Sequence, residues 1–309
     1  MMRLFIRRYD TMSPSPSLFK NLPFLITPPL LWAGNVIVAR MVRNDIPPFT
    51  LSFGRWVISL LILLPFAWAA MRRDKNLYRR HAKPVIGTAL TGVAAFNTLV
   101  YTGLHNTTST NALLLNSCIP VLIMLIGAVF YGQTLNRFQV SGLLLSLCGV
   151  LAIILRGDLE NLWALRFNSG DLWVFAAVVC WAFYTLWMRH MPSEINRTGL
   201  TAVQIMLGLP VLLPLWLWER AGGAQVNWNT DALLGFAYVG VFPSVVAYLC
   251  YTAAIARVGA VRAGLSIHLM PVFGTLLAVT LLGEAFHLYH FIGILAIFGG
   301  ILLSNRRSA

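Results

Sequence analysis

The sequence predicts an all-α membrane protein of ten transmembrane helices, built as two inverted five-helix repeats with both termini cytoplasmic, and three observations lead there. Apolar residues make up 58% of the 309-residue chain and charged ones only 11%, with a mean hydropathy of +0.73. Almost no stretch can therefore form an ordinary solvated surface. The apolar residues gather into ten runs of about 20 residues, the length that crosses a bilayer core. The second half of the chain also repeats the first in register.

Residues 1–20 read as a cytoplasmic tail. Arg3, Arg7 and Arg8 are followed by Asp10 and Ser13-Pro14-Ser15-Pro16 rather than by an apolar segment, so no cleaved or twin-arginine signal is expected. The first repeat, 21–156, holds runs at 22–39, 48–70, 84–103, 111–131 and 137–155, and the second, 157–309, holds runs at 171–188, 199–218, 231–255, 262–282 and 286–304. Each run stops at charges, at Gly or Pro breaks or at polar turns, and the loops between them are too short for a soluble domain.

Net charge is +13, but the basic residues sit in clusters between runs rather than along a soluble face, which excludes a nucleic-acid partner. With the N-terminus inside, 17 of the 23 Lys and Arg residues fall on the inner side. Five lie outside (Arg40, Arg43, Arg156, Arg166 and Arg220), and Arg55 lies within the second run. That bias sets the orientation. Trp68, Trp163, Trp216, Trp218 and Trp228 lie near run ends, where amphipathic rings belong. Cys118, Cys148, Cys180 and Cys250 fall inside runs without metal-ligand spacing and read as free packing thiols.

The repeat is read by self-comparison. Leu31-Trp32-Ala33 with Arg40 recurs as Cys180-Trp181-Ala182 with Arg189 at an offset of 149, and Tyr101-Thr102 recurs as Tyr251-Thr252 at 150. Ala112, Pro120, Gly132, Gly142 and Gly149 recur as Ala263, Pro271, Gly283, Gly293 and Gly300 at 151. Each copy holds an odd number of spans, so the second enters the membrane the opposite way round, the construction of alternating-access carriers.

With Leu31 to Asn35, Ile46-Pro47-Pro48-Phe49-Thr50 followed by Arg55, Tyr101 to Ala112, Asn116 to Pro120, and Leu282-Gly283-Glu284, the chain resembles the EamA-type members of the drug/metabolite transporter superfamily over nearly its whole length, in two copies. The resemblance implies a central cavity lined by the first, third and fourth spans of each repeat, and export of amino acids, including aromatic ones, or of drugs. Sugar-nucleotide and sugar-phosphate carriers share that superfamily. One departure is that the Gly-Glu closing a fourth span is Gly283-Glu284 in the second copy but Gly132-Gln133 in the first.

Polar groups at membrane depth are costly unless they face protein or a water-filled cavity, so they are the candidate substrate contacts. Asn35 and Tyr184 hold equivalent positions one turn beyond Trp32 and Trp181. Asn97 and Tyr101 stand one turn apart in the third span, and Tyr248 lies in the eighth. Asn116 and Ser117 precede Pro120, while His268 precedes Pro271 at the register position of Ser117. Pro120 and Pro271 are candidate mirrored hinges, since a proline frees backbone carbonyls near its kink. His268 is also the one obvious proton carrier. Arg55, about 10 Å from its helix end at 1.5 Å per residue, is expected to snorkel or to meet a helix C-terminus in a structural role. Glu284 reads as a solvated charge at a span end. Gly264-Leu265-Ser266-Ile267-His268 has the outline of an intramembrane protease site, but Ser266 and His268, two apart on one helix, point away from each other.

No enzyme activity, cofactor or metal is expected. The reading is a bacterial inner-membrane carrier, functioning as a monomer among lipid, that exports a small polar or zwitterionic metabolite such as an amino acid. An exporter of other specificity is the alternative, and a passive channel a more distant one. Phosphorylated cargo would call for paired Lys or Arg at depth, and the spans offer only Arg55.

Overall fold

The computed structural model describes residues 18–158, 160, 168–282 and 285–304. Most of the N-terminal tail, Trp163, Arg166, Gly283-Glu284 and the last five residues lie outside the described residues. Within them the backbone is helical and holds no strand, so each span satisfies its own amides and carbonyls, as hydrocarbon requires.

In the first half, α1 is Leu18–Met41, α2 is Pro48–Arg73 and α5 is Arg137–Ile154. Helix α3 runs through Ala82–Thr88, a π-helical turn at Ala89–Ala95 and Phe96–Asn106, and α4 is broken into Ser109–Asn116 and Ile119–Tyr131. In the second half, α6 is Ser169–Arg189, α7 is Arg197–Ala221 and α10 is Leu288–Ser304. Helix α8 runs through Thr230–Val241, a π-helical turn at Phe242–Val246 and Ala247–Val258, and α9 through Ala260–Leu265, a 3-10 turn at Ser266–His268 and Leu269–Leu282. Among the described residues nine of these are long and apolar enough to cross a membrane, and α10 is a shorter apolar helix of 17 residues.

The departures from regular helix are themselves repeated. Both third spans carry a π-helical turn, and both fourth spans break just before the proline that the sequence repeats, Pro120 and Pro271. Pro243 inside the second π turn removes an amide donor, which accounts for the interrupted ladder there. Pro23, Pro28 and Pro29 leave α1 helical through its whole length.

The two halves interlock rather than lie side by side. Helix α2 runs antiparallel to α7, α5 to α10, α1 packs on α8 and α9, and α6 packs on α3 and α4. Lipid is as apolar as a leucine side chain, so close packing and polar bonds must hold these pairs. At the α5–α10 contact a methyl group on Gly149 would lie 2.6 Å from the Gly293 carbonyl oxygen, and one on Gly293 would lie 2.7 Å from that of Gly149. Gly142 and Gly300 meet in the same way. Since Gly142 and Gly149 correspond to Gly293 and Gly300, the interface is self-complementary about a pseudo-twofold axis. Helices α2 and α7 are pinned at both ends. The Glu219 carboxylate at the end of α7 accepts from the amides of Phe49 and Thr50 at the start of α2, and Asp74 after α2 accepts from the amide of Asn196 before α7.

Where the axis crosses the core, the equivalent residues Trp32 and Trp181 meet edge to face with ring centroids 5.1 Å apart. Tyr248 and Tyr251 pack on both indoles. Outside, Leu61, Phe66, Leu172 and Trp218 are exposed on the surface that faces lipid.

Candidate functional site

Helix α2 packs against α3, α7 and α8, and Arg55 is wholly buried among these helices. Its side chain does not snorkel, because neutral acceptors meet it inside the bundle. The guanidinium Nε donates to Ser244 Oγ at 2.7 Å and Nη1 to Asn97 Oδ1 at 2.7 Å, with Asn35 Oδ1 3.5 Å from Nη1. Nη1 also donates to the Tyr101 hydroxyl. The expectation of a contact with the surface or with a helix C-terminus is thus corrected. Arg55 is the hub that joins α1, α2, α3 and α8.

The network extends from that hub. Tyr101 donates to Asn35 Oδ1 at 2.9 Å, Asn97 Nδ2 donates to the Tyr248 hydroxyl at 3.2 Å, and Tyr248 donates to the Gly92 carbonyl at 2.6 Å. Gly92 lies in the π-helical turn of α3 and Ser244 in that of α8, so both irregular turns supply the cluster. The guanidinium carbon also lies 5.1 Å from the Trp56 ring centroid and 5.6 Å from that of Tyr101, within cation–π range.

Beside the cluster is a cavity of about 30 Å³, lined among others by Trp32, Asn35, Asn97, Asn116 and Trp181. A second, of about 10 Å³, is lined by Tyr101 and reaches Arg43 and His105. A water needs roughly 10–15 Å³ by this measure, so the larger cavity admits about two waters. The larger cavity offers amides and indoles among apolar side chains, and the smaller the Tyr101 phenol.

Of the residues singled out by sequence, the structure brings Asn35, Asn97, Tyr101 and Tyr248 into one network and places Asn116 on the cavity wall. Tyr184 belongs to the aromatic core, 4.8 Å from Trp181 between ring centroids, and its hydroxyl has no hydrogen-bond partner among the described residues. Ser117 turns its hydroxyl back to the Leu114 carbonyl. Its own carbonyl faces His268 Nε2 at 3.0 Å, and His268 Nδ1 lies 2.7 Å from Ser146 Oγ. A carbonyl only accepts, so Nε2 carries a proton, and the ring ties α9 to α4 and α5 behind the cavity wall. Ser266 donates to the Ala263 carbonyl and makes no pair with His268.

Sequence reasoning misses three contributors. Trp32 and Trp181 stand out there only as repeat markers, although indoles in mid-span are themselves a signal, and Ser244 beside Pro243 carries none. The repeat counterpart of Arg55, at an offset of 149, is Gln204, buried and donating to Thr88 Oγ1 at 2.7 Å. One half therefore holds a cation where the other holds an amide. Among the described residues no group of three His, Cys, Asp or Glu side chains is placed to hold a metal.

Residues 20–155 and 168–306 each match the model of the EamA-like transporter family. The chain belongs to that family. The chain is 26% identical over 273 residues to the uncharacterized transporter YetK of Bacillus subtilis, covering 87% of this chain and 82% of that one. It is 27% identical to an uncharacterized transporter of Archaeoglobus fulgidus, covering 90% and 94%. A probable terminal-alkyne amino-acid exporter of Streptantibioticus cattleyicolor is 25% identical over 71% of each chain. One crystal structure matches with a TM-score of 0.73 at 21% identity, covering 93% of this chain and 96% of that chain, which shows a shared fold. The protein is thus a multi-pass inner-membrane transporter.

Proposed function

We propose that this EamA-like transporter exports small polar or zwitterionic metabolites, amino acids foremost, by alternating access. The observation that carries the reading is the small cavity at the meeting of the two repeats, walled by Asn35, Asn97, Asn116 and the indoles of Trp32 and Trp181. Amides match the polar groups of such a cargo, and indoles cover its apolar part. At about 30 Å³ the cavity is too small for an amino acid, so cargo enters only after helices part on one side. The mirrored breaks before Pro120 and Pro271 are the places where α4 and α9 bend with least loss of backbone bonding. The amino-acid exporter among the relatives supports the cargo class.

The test is counterflow. Purified protein in liposomes preloaded with each of a panel of unlabelled amino acids is given the labelled compound outside. Saturable uptake of at least one amino acid is expected. Uptake confined to non-amino-acid drugs would overturn the cargo class, and a flux that never saturates would replace the carrier with a channel.

A further inference from the structure

Arg55 is a wholly buried cation with no anion beside it among the described residues. Its hydrogen-bond partners are two amides and two hydroxyls, from Asn35, Asn97, Tyr101 and Ser244. Arginine cannot shed its proton to escape this cost, and buried charges are ordinarily paired. Among the described residues the one ion pair is Arg73 with Asp74, beyond the end of α2. Nη2 of Arg55 is buried and has no hydrogen-bond partner among the described residues. Position matters as much as charge. Asn35 and Asn97, which occupy Nη1, also line the larger cavity, and Tyr101 lines the smaller, so the guanidinium is bonded to wall residues of both.

We propose that Arg55 is the receptor for a carboxylate on the cargo, so that the transported molecule carries one negative group and its carboxyl-free analogue is rejected. This deepens the function proposed above and rests on it for the transport event itself. In the closed bundle the side-chain oxygens of Asn35, Asn97 and Tyr101 occupy the guanidinium in place of the cargo. When the bundle opens, a carboxylate displaces them and takes both terminal nitrogens, the forked geometry for which arginine is suited. A single cation balances a single carboxylate, which favours monocarboxylates and zwitterions over phosphorylated cargo. Gln204 in the corresponding place leaves the opposite half without a matching anion receptor, so cargo is held by its carboxylate from one side.

The experiment compares amino acids, 2-hydroxy acids and the corresponding amides and amines in one liposome counterflow panel, with melting temperature of the purified protein as a second readout. Wild type is expected to take carboxylates and to discriminate against the amides. Arg55→Gln, which installs the residue its counterpart already uses, is expected to lose carboxylate uptake about 30-fold, the lower end of what truncating one member of a buried charge pair costs, and to leave amides unaffected. Asn97→Asp supplies an internal anion at the 2.7 Å contact. It is expected to raise the melting temperature while abolishing carboxylate uptake, and it keeps the test open if Arg55→Gln fails to fold.

Uptake of hydroxy acids but not amino acids would sink the amino-acid reading and leave the Arg55 assignment standing. Equal handling of carboxylates and amides by wild type would overturn the assignment while leaving transport intact. The assignment also falls if no carboxylate changes flux or melting temperature, or if a folded Asn97→Asp protein keeps its carboxylate preference.

Discussion

Replacing Glu219 by alanine should destabilise the protein by about 3 kcal/mol. The carboxylate accepts from Phe49 N at 2.9 Å and from Thr50 N and Thr50 Oγ1 at 2.7 Å each. Pro47, the residue at the N-cap position of α2, makes no side-chain cap bond, so nothing local replaces the lost acceptor. Losing an N-terminal cap costs about 0.5 to 2 kcal/mol, and leaving a further buried donor dry adds about 1 to 3. Glu219→Gln keeps one of the two acceptor oxygens and should cost about half as much. The assay is reversible SDS unfolding in mixed micelles followed by tryptophan fluorescence, with Glu194→Ala, at an exposed position, as the control. Adding Thr50→Val should cost less in the Glu219→Ala background than in wild type, because the two share a bond. If Glu219→Ala falls within about 0.5 kcal/mol of the control, the range of ordinary surface substitutions, the pinning of α2 to α7 is refuted.

At the other end, the Arg73 guanidinium holds the Asp74 carboxyl below its ordinary value of 3.8, with the Asn196 amide adding to the effect against burial. A depressed carboxyl stabilises the fold above its unfolded value and loses that contribution as pH falls through the folded one. Asp74→Asn should therefore cost the same at pH 8 and pH 5, and the difference from wild type should shrink only below about pH 4; a difference already fading at pH 6 would contradict the assignment. His268, held between the Ser117 carbonyl and Ser146, should act as a strut. An imposed pH gradient without membrane potential should then drive no uphill accumulation of a neutral amino acid, whereas accumulation that His268→Gln abolishes while counterflow survives would make it a proton carrier. For orientation, cysteines placed at Asn106 and Asn227 should label from outside intact cells and one at Asn76 should not, with the reverse pattern inverting the topology.

The fold was legible because a bilayer leaves the chain little choice. Runs of about 20 apolar residues must be helices there, and the register of Trp32 with Trp181 announced the duplication. The site was legible only in part. Sequence gives the depth of Arg55 along α2 but not the face it occupies, and its partner Ser244 is 189 residues away. The same distance problem hid the role of His268, whose partner Ser146 lies 122 residues off in sequence. The π-helical turn of α3 left no trace in composition, since only packing shows why Gly92 must admit the Tyr184 ring, whereas Pro243 marks that of α8.

The crossed glycine contacts between α5 and α10, Gly142 with Gly300 and Gly149 with Gly293, bear on what happens if the chain is cut in two. Each severed half would expose a ridge shaped to receive its own duplicate upside down as readily as its true mate. Co-expressed fragments would then sort into like and unlike couples with little preference at this seam. Only the unlike couple brings Arg55 to Ser244, so reassembly would be decided by the polar hub and recovered flux would count the correctly matched fraction.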